Sequence, residues 1–169
     1  MSDAVLFDAR DDGIAIITLN RPAQRNALGR DVRAGLFSAW DRFERDPALR
    51  VAILTGAGEK AFCAGGDLKE MVEKQMAVPP RDMFPVPGDT VELTKPTIAA
   101  VNGVAFAGGW MIAQACDLCV ASTAAKFAVT EVKVGRSSPW AAPLIHMIPQ
   151  RIMMEILLTG KPITAQRAY

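Results

Sequence analysis

The sequence contains little histidine and cysteine, and its positive and negative charges are nearly balanced. Its 169 residues include one histidine, His146, and 19 basic against 18 acidic side chains, for a net charge of +1. A Ser–His–Asp triad would have to use His146, which lies in an apolar run without a GxSxG motif, so a serine hydrolase is disfavoured. The basic residues form no run or stripe, which disfavours nucleic acid or an anionic membrane as a partner.

Cysteine is also too scarce for a convincing metal site. Cys116 and Cys119 have the spacing of a metal or redox pair, but only Cys63 and His146 remain to complete a site. A structural zinc site normally repeats its paired ligands. We therefore expect no metal and three buried, reduced thiols, which indicates a reducing compartment such as the cytoplasm. The first residues, MSDAVLFDARDDG, have acids where a secretory signal has bases, so no leader is expected.

A long uncharged run, Thr97–Cys116, has the ~20-residue length that a transmembrane helix needs. It contains Asn102, Gln114 and a glycine pair, and it has no aromatic belt. We therefore assign the run to a buried core and expect no membrane association.

The hydrophobic pattern predicts an α/β fold. Val5–Phe7 and Ile14–Leu19 are strand-like runs around an Asp-Asp-Gly turn, and Asp31–Asp46 has apolar residues at helical spacing before Pro47. Since strands and helices alternate further along, a layered fold is favoured. The remaining predicted elements are strands at Val51–Leu54, Asp117–Ala121 and Lys126–Val129, helices around Ala141–Met147 and at Arg151–Leu158, a helix N-cap at Thr164, and an irregular, proline-rich segment over 77–90.

The rest of the chain is organised around the segment Lys95–Cys119. It is predicted to form a strand at Thr97–Asn102, a turn, and a helix opened by the pair Gly108-Gly109. A second junction of this type follows the predicted strand Ala61–Ala64, where Gly65-Gly66 precedes a helix from about Asp67. Two such junctions either supply backbone N–H donors to an oxyanion hole or are tight turns that permit close packing. Neither matches the phosphate loop GxxxxGK[ST] or the dinucleotide pattern GxGxxG.

Six segments together resemble the crotonase family, also called the enoyl-CoA hydratase/isomerase superfamily. They are ITLNRPAQRNAL (Ile17–Leu28), AFCAGGDLKEM (Ala61–Met71), KPTIAAVNGVAFAGG (Lys95–Gly109), CDLCVA (Cys116–Ala121), KFAVTEVKVG (Lys126–Gly135) and LLTGKPITAQRA (Leu157–Ala168). They follow one another at the family's spacing and cover nearly the whole chain.

The resemblance implies an α/β spiral of repeated ββα units with perpendicular sheets. Residues 1–160 would form this core, and 161–169 would begin an incomplete C-terminal helical region that in full-length relatives covers the active site and helps to build trimers. A homotrimer or hexamer is therefore expected of a full-length chain.

The resemblance also implies site residues. The backbone N–H groups of Gly66 and Gly108 would hold the thioester oxygen of an acyl-CoA, and Glu131 would be the catalytic acid/base. Asp67 is expected to cap its helix, and Arg25 would lie near the CoA phosphates unless it is a solvated loop charge. The substrate-binding set is Arg25, Ala64, Gly65, Gly66, Asp67, Leu68, Gly108, Met111 and Trp140, with no cofactor beyond the CoA of the substrate.

Two departures from the family pattern leave the reaction open. Met111 occupies the position where typical hydratases carry a second glutamate. Arg136 and Trp140 lie in an altered loop, where they either reshape the acyl pocket or are a surface arginine and a core tryptophan. An enoyl-CoA hydratase-type lyase of fatty acid metabolism is the first hypothesis. The alternatives are a double-bond isomerase or another single-glutamate reaction, and a non-catalytic acyl-CoA-binding or assembly subunit.

Overall fold

The computed structural model describes residues 3–76 and 79–169, whose strands form two sheets. The first sheet has the strand order β1-β2-β3-β5-β7 and the second has the order β4-β6-β8-β9. The strands are β1 (Val5–Ala9), β2 (Ile14–Leu19), β3 (Val51–Gly56), β4 (Ala61–Cys63), β5 (Thr97–Val101), β6 (Val104–Phe106), β7 (Leu118–Ala121), β8 (Lys126–Ala128) and β9 (Ile163–Thr164). The helices are α1 (Arg30–Arg45), α2 (Leu68–Glu73), α3 (Gly108–Gln114), α4 (Gln150–Thr159) and α5 (Ala165–Ala168), with 3₁₀ helices at Pro22–Gln24, Arg81–Met83, Glu131–Val134 and Pro139–His146.

The first sheet begins as a hairpin and continues with parallel strands. Strands β1 and β2 pair antiparallel, as the Asp-Asp-Gly turn predicts, and β2, β3, β5 and β7 then pair in parallel. In β2 the alternate residues Ala15, Ile17 and Leu19 are fully buried. This period of two residues places one face of the strand in the core.

Helix α1 supplies much of that core. Val32, Leu36, Trp40 and Phe43 recur at helical spacing and are buried where α1 packs on β1 and β2. The rings of Trp40 and Phe43 meet edge to face with centroids 6.4 Å apart. The helix ends at Arg45, close to the predicted boundary, because Pro47 disfavours helical geometry in the residue before it.

The second sheet brings the two glycine junctions together. Strands β4 and β6 are neighbours and run parallel, so their carboxyl ends lie at the same edge of the sheet. Strand β4 leads into Gly65-Gly66 and α2, and β6 leads into Gly108-Gly109 and α3. Strand β8 lies parallel to β6 on its other side and leads to Glu131. The sequence pattern predicts only a turn at Val104–Phe106, where the structure has β6.

Two expectations are corrected by the structure. Residues Pro139–His146 form a 3₁₀ helix instead of the regular helix predicted around Ala141–Met147, and Pro143 lies inside it without an N–H to donate. The expectation of three buried thiols is wrong, because Cys119 lies exposed on β7. Cys63 and Cys116 are buried, and burial raises the pKa of each thiol to about 12.

Residues 77 and 78, part of the segment predicted to be irregular, lie outside the described residues. None of the helices over residues 3–76 and 79–169 combines the length and the hydrophobicity of a membrane-spanning helix.

Gly109 is the position at which α3 packs directly on β4. A Cβ added there would lie 2.1 Å from the carbonyl oxygen of Cys63. We expect Gly109→Ala to lower the free energy of unfolding by about 3 kcal/mol, because two backbone segments would have to separate. Urea unfolding monitored by circular dichroism would measure this change.

The matched control is Gly29→Ala. Gly29 has a φ of −71°, which alanine tolerates. Its nearest contact for a new Cβ is the flexible Asp67 side chain at 3.3 Å. We expect a change within about 1 kcal/mol. Equal losses in the two variants would contradict a specific constraint at Gly109.

Candidate active site

The two glycine junctions are in direct contact. A Cβ added to Gly65 would lie 2.9 Å from both the Ala107 Cβ and the Phe106 carbonyl oxygen. A Cβ added to Gly108 would lie 3.7 Å from the backbone nitrogen of Gly66. Gly65 also has a φ of +97°, a conformation that L side chains rarely adopt. Glycine is therefore required here both for space and for backbone geometry.

The backbone N–H groups of Gly66 and Gly108 both lie at this contact. Within residues 3–76 and 79–169 neither N–H donates a hydrogen bond. Gly108 is buried and Gly66 is half-buried. Because an unpaired N–H that is shielded from water costs free energy, adjacent unpaired donors indicate a place for an acceptor. Two convergent N–H donors can bind a carbonyl oxygen that gains negative charge during a reaction.

Ala107, immediately before Gly108, has an unusual backbone conformation. Its φ is 50° and its ψ is −123°, values that a non-glycine residue adopts at some energetic cost. The conformation is held by a hydrogen bond of 2.9 Å from the Ala107 N–H to the Ala128 carbonyl at the end of β8. Strain of this kind is retained where the surrounding structure imposes it, and here it lies in the peptide segment that leads into the Gly108 N–H.

The Gly66 segment is supported from α1 and from its own helix. Asp67 caps α2 as predicted, since its Oδ1 accepts from the N–H groups of Lys69 at 3.0 Å and Glu70 at 3.2 Å. Arg33 donates to both carboxylate oxygens of Glu70 at 2.9 Å and to the Leu28 carbonyl at 2.7 Å. Leu28 in turn forms an isolated parallel bridge with Gly66.

Glu131 begins the 3₁₀ helix that follows β8. One of its carboxylate oxygens, Oε1, accepts a hydrogen bond of 2.6 Å from the indole Nε1–H of Trp140. The other, Oε2, is buried and has no partner within the described part of the chain. Burial raises the pKa of Glu131 above its ordinary value, and the bond from Trp140 opposes that shift by stabilising the charged form. Because β8 is parallel to β6, Glu131 and Gly108 both follow the same edge of the sheet.

Apolar side chains lie close to the two glycine junctions. Met111, in the first turn of α3, is buried. The Met71 methyl group lies beside Gly66, where it would be 2.4 Å from an added Cβ, and a Phe84 ring carbon would be 3.9 Å from that Cβ. The thioether of Met111 can neither deprotonate water nor carry charge. Of the two positions at which the sequence comparison with the family expects a glutamate, only Glu131 therefore has an acid/base side chain.

Arg136 and Trp140 are neither a surface arginine nor a core tryptophan. Both are half-buried. The Arg136 guanidinium donates to the Met71 sulfur at 3.1 Å and to the Met76 carbonyl at 2.6 Å, which ties the loop after Glu131 to α2. The sequence predicts for Trp140 either a place in the acyl pocket or a place in the core. Its contact with Glu131 was not foreseen, because the two residues are nine positions apart in irregular structure.

The remaining predicted binding residues lie on the outer side of the Gly66 segment. Arg25 is exposed with a φ of 51°, and its carbonyl accepts a hydrogen bond of 3.0 Å from the Ala64 N–H. Leu68 is 59 % exposed at the start of α2. An adjacent groove of about 220 Å³ is lined by Arg21, Gln24, Ala27, Gly29, Arg30, Asp31, Val32, Asp67 and Glu70. The structure thus places Arg25 and the segment Ala64–Leu68 side by side.

No metal centre is visible in the described ranges: no three of their His, Cys, Asp and Glu side chains form a group that could hold an ion.

The fold and this site define an α/β protein with adjacent unpaired backbone donors and a half-buried glutamate that follow the same edge of one sheet. The enoyl-CoA hydratase/isomerase family model matches residues 9–169. The chain therefore belongs to the enoyl-CoA hydratase/isomerase, or crotonase, family.

Named relatives agree with this assignment. The chain is 46 % identical to an (E)-benzylidenesuccinyl-CoA hydratase of Thauera aromatica over 92 % of its length, and 44 % identical to an enoyl-CoA hydratase of Mycobacterium tuberculosis over 90 %. It spans 62 % and 60 % of the length of those two relatives. The solved structure of a carnitinyl-CoA dehydratase from Mycobacterium avium matches with a TM-score of 0.86 and 38 % identity, covering 99 % of this chain and 66 % of that one.

The Arg33–Glu70 ion pair behind the Gly66 segment gives a pH-dependent prediction. The hydrogen bond from Arg33 lowers the pKa of Glu70 from 4.5 to about 2, against the opposing effect of burial. The ionised pair therefore stabilises the fold above about pH 4.5, and this contribution is lost as the pH falls towards 2. We expect Glu70→Gln to cost about 2 kcal/mol of unfolding free energy at pH 7 and progressively less towards pH 2.

Urea unfolding of both proteins at a series of pH values would measure this difference. Glu73→Gln, an exposed position on the same helix, is the control and should change the unfolding free energy by about 0.5 kcal/mol or less. A Glu70→Gln penalty that stays constant from pH 7 to pH 2 would show that the ion pair is not its source.

Proposed function

We propose that this protein is an acyl-CoA hydratase or dehydratase, a lyase that adds water to an enoyl-CoA thioester or removes it. The observation that carries the proposal is the contact between the two glycine junctions, which leaves the N–H groups of Gly66 and Gly108 unpaired and adjacent. In this proposal both N–H groups donate to the thioester carbonyl oxygen. They stabilise the negative charge that this oxygen acquires in the enolate. The names of the relatives, hydratases and a dehydratase, support the same reaction class.

In the proposed reaction the Glu131 carboxylate acts first as a base and then as an acid. Ionised Glu131 accepts a proton from water as the water oxygen bonds to the β-carbon and the π electrons move onto the thioester oxygen. The enolate then takes that proton back from Glu131 at the α-carbon, so that one water molecule has been added. Burial supports this role, because it raises the pKa of Glu131 towards working pH and makes the carboxyl both a competent base and a competent acid.

The CoA portion is proposed to follow the outer side of the Gly66 segment. The hydrogen bond from the Ala64 N–H to the Arg25 carbonyl joins the Arg25 backbone to this segment, which supports a contact between the arginine and the CoA phosphates. The oligomeric state proposed from the family, a trimer or a hexamer, concerns the full-length protein, as does a place in fatty acid metabolism.

Met111 favours a second candidate function, the shift of a double bond. Isomerisation needs the same enolate and one carboxylate to move a proton from the α- to the γ-carbon, but it does not need a second group to orient water. A buried methionine where a carboxylate is expected leaves that second group missing. The two reactions differ in substrate, so one assay separates them.

Assays with a 2-enoyl-CoA and a 3-enoyl-CoA test both functions. A hydratase consumes the ultraviolet absorbance of the conjugated 2-enoyl thioester, whereas an isomerase creates that absorbance from the 3-enoyl form and leaves the 2-enoyl form unchanged. We expect consumption of the 2-enoyl thioester, and a loss of kcat of about 10²–10⁴-fold in Glu131→Gln, which cannot accept the proton.

The matched control is Glu155→Gln, whose carboxylate pairs with Arg167 on the exposed side of α4. It should retain wild-type kcat. Tight binding of the CoA thioester with no turnover of either substrate, unchanged in Glu131→Gln, would contradict both enzymatic functions and favour a non-catalytic acyl-CoA-binding subunit.

Met111 gives a separate prediction. If the missing carboxylate limits hydration, Met111→Glu should raise kcat for hydration by about tenfold, because a second acceptor would orient the attacking water. The measurement is the initial rate of absorbance loss from the 2-enoyl thioester. Met111→Gln, similar in size but unable to deprotonate water, is the control for changes in shape. No gain in a folded Met111→Glu variant would contradict the account based on the missing carboxylate.

A further inference from the structure

The Trp140 indole donates a hydrogen bond to Glu131. Its Nε1–H donates to Oε1 at 2.6 Å, and a bond of this kind stabilises the ionised carboxylate. The Oε2 atom is left buried without a partner. A glutamate side chain without such a contact can exchange its two oxygens by rotation. This bond makes them inequivalent.

Trp140 is itself fixed in place through its backbone. Gln114, the last residue of α3, donates from Nε2 to the Trp140 carbonyl at 2.7 Å. Helix α3 begins at Gly108, so the segment that supplies one proposed oxyanion donor also holds the residue that orients Glu131. At the other end of the loop, Arg136 is tied to Met71, which lies beside Gly66. The loop from Glu131 to Trp140 is thereby anchored to both glycine junctions.

We propose that Trp140 is a positioning residue: it holds Glu131 Oε1 and leaves Oε2 as the oxygen that exchanges a proton with the substrate. This inference rests on the proposed function and adds a residue to it. It replaces the direct contact between Trp140 and substrate that the sequence predicts with a role exerted through Glu131.

The effect of Trp140 on the pKa of Glu131 can be separated from the effect of nearby charges. The contributions to the pKa of Glu131 come from burial, from Trp140 and Ser138, and from backbone N–H groups, all of them uncharged. The charged side chains of the loop and of the packed helix α4 lie exposed or contact other residues: Lys133 and Arg151 are exposed, Arg136 contacts Met71 and Met76, and Glu155 pairs with Arg167.

The test is Trp140→Phe, which keeps an aromatic ring and removes the donor. We expect kcat to fall about tenfold with KM nearly unchanged, because the carboxylate is no longer fixed but the substrate loses no contact. The loss of a bond to the ionised form also raises the pKa of Glu131 further. The acidic limb of the kcat/KM profile should therefore move to higher pH.

Trp40→Phe is the matched control, since its indole is fully buried in α1 and its Nε1 has no partner among the described residues. It should leave kcat and the pH profile unchanged. Gln114→Met is a second variant that keeps the indole and removes its anchor. It should shift kcat and the acidic limb in the same direction by a smaller amount, and it tests the proposal if Trp140→Phe does not fold.

A titration of the Glu131 side chain, observed by ¹³C NMR without substrate, separates failure of this proposal from failure of the proposed function. A higher Glu131 pKa in Trp140→Phe with unchanged kcat would confirm the contact and contradict the catalytic role of Glu131. An unchanged titration and pH profile, or a rise in KM with kcat intact, would overturn the positioning role and return Trp140 to the acyl pocket.

Discussion

The parallel pairing of β4 with β6 is the constraint on which the candidate site depends. Neighbouring parallel strands end at the same edge of a sheet, so the turns that follow them must share the space above that edge. Bulky side chains in those turns would force the strands apart. Glycine at positions 65, 66, 108 and 109 removes the obstacle, and the contact between Gly65 and Ala107 shows how little space is left. The adjacent donors of the site therefore result from the strand order.

The acid/base candidate depends on a different kind of contact. Glu131 lies in a 3₁₀ helix, where a carboxylate has no regular framework to fix it. Its orientation comes from Trp140, and the position of Trp140 comes from Gln114 on α3. One side of the site is thus organised by backbone packing and the other by a short series of side-chain hydrogen bonds. The second kind of organisation is easier to alter by substitution, since each member contributes a single bond.

Much of the fold could be predicted from the sequence because its signals are local. The alternation in Ile14–Leu19, the helical spacing in Arg30–Arg45 and the glycine pairs each depend on residues that are close in the chain. The Asp67 cap is local as well. The site contacts that sequence reasoning missed join distant or irregular segments: Arg136 to Met71, Trp140 to Glu131, and Ala107 to Ala128. Their geometry is set by the assembled sheets, which no spacing rule describes.

The difference between backbone features and side-chain contacts also explains why the sequence indicates the family more directly than the reaction. Backbone donors made by glycine junctions do not depend on neighbouring side chains, so they persist when the pocket changes around them. The choice between adding water and moving a double bond depends on how many polar groups face the substrate. In this chain the Met71 thioether lies beside Gly66, Met111 is buried in the first turn of α3, and Glu131 is the acid/base candidate. Hydration by such a site would require its water to be ordered by one carboxylate and by the substrate, so the orientation of Glu131 should matter more here than in a site that contains two carboxylates.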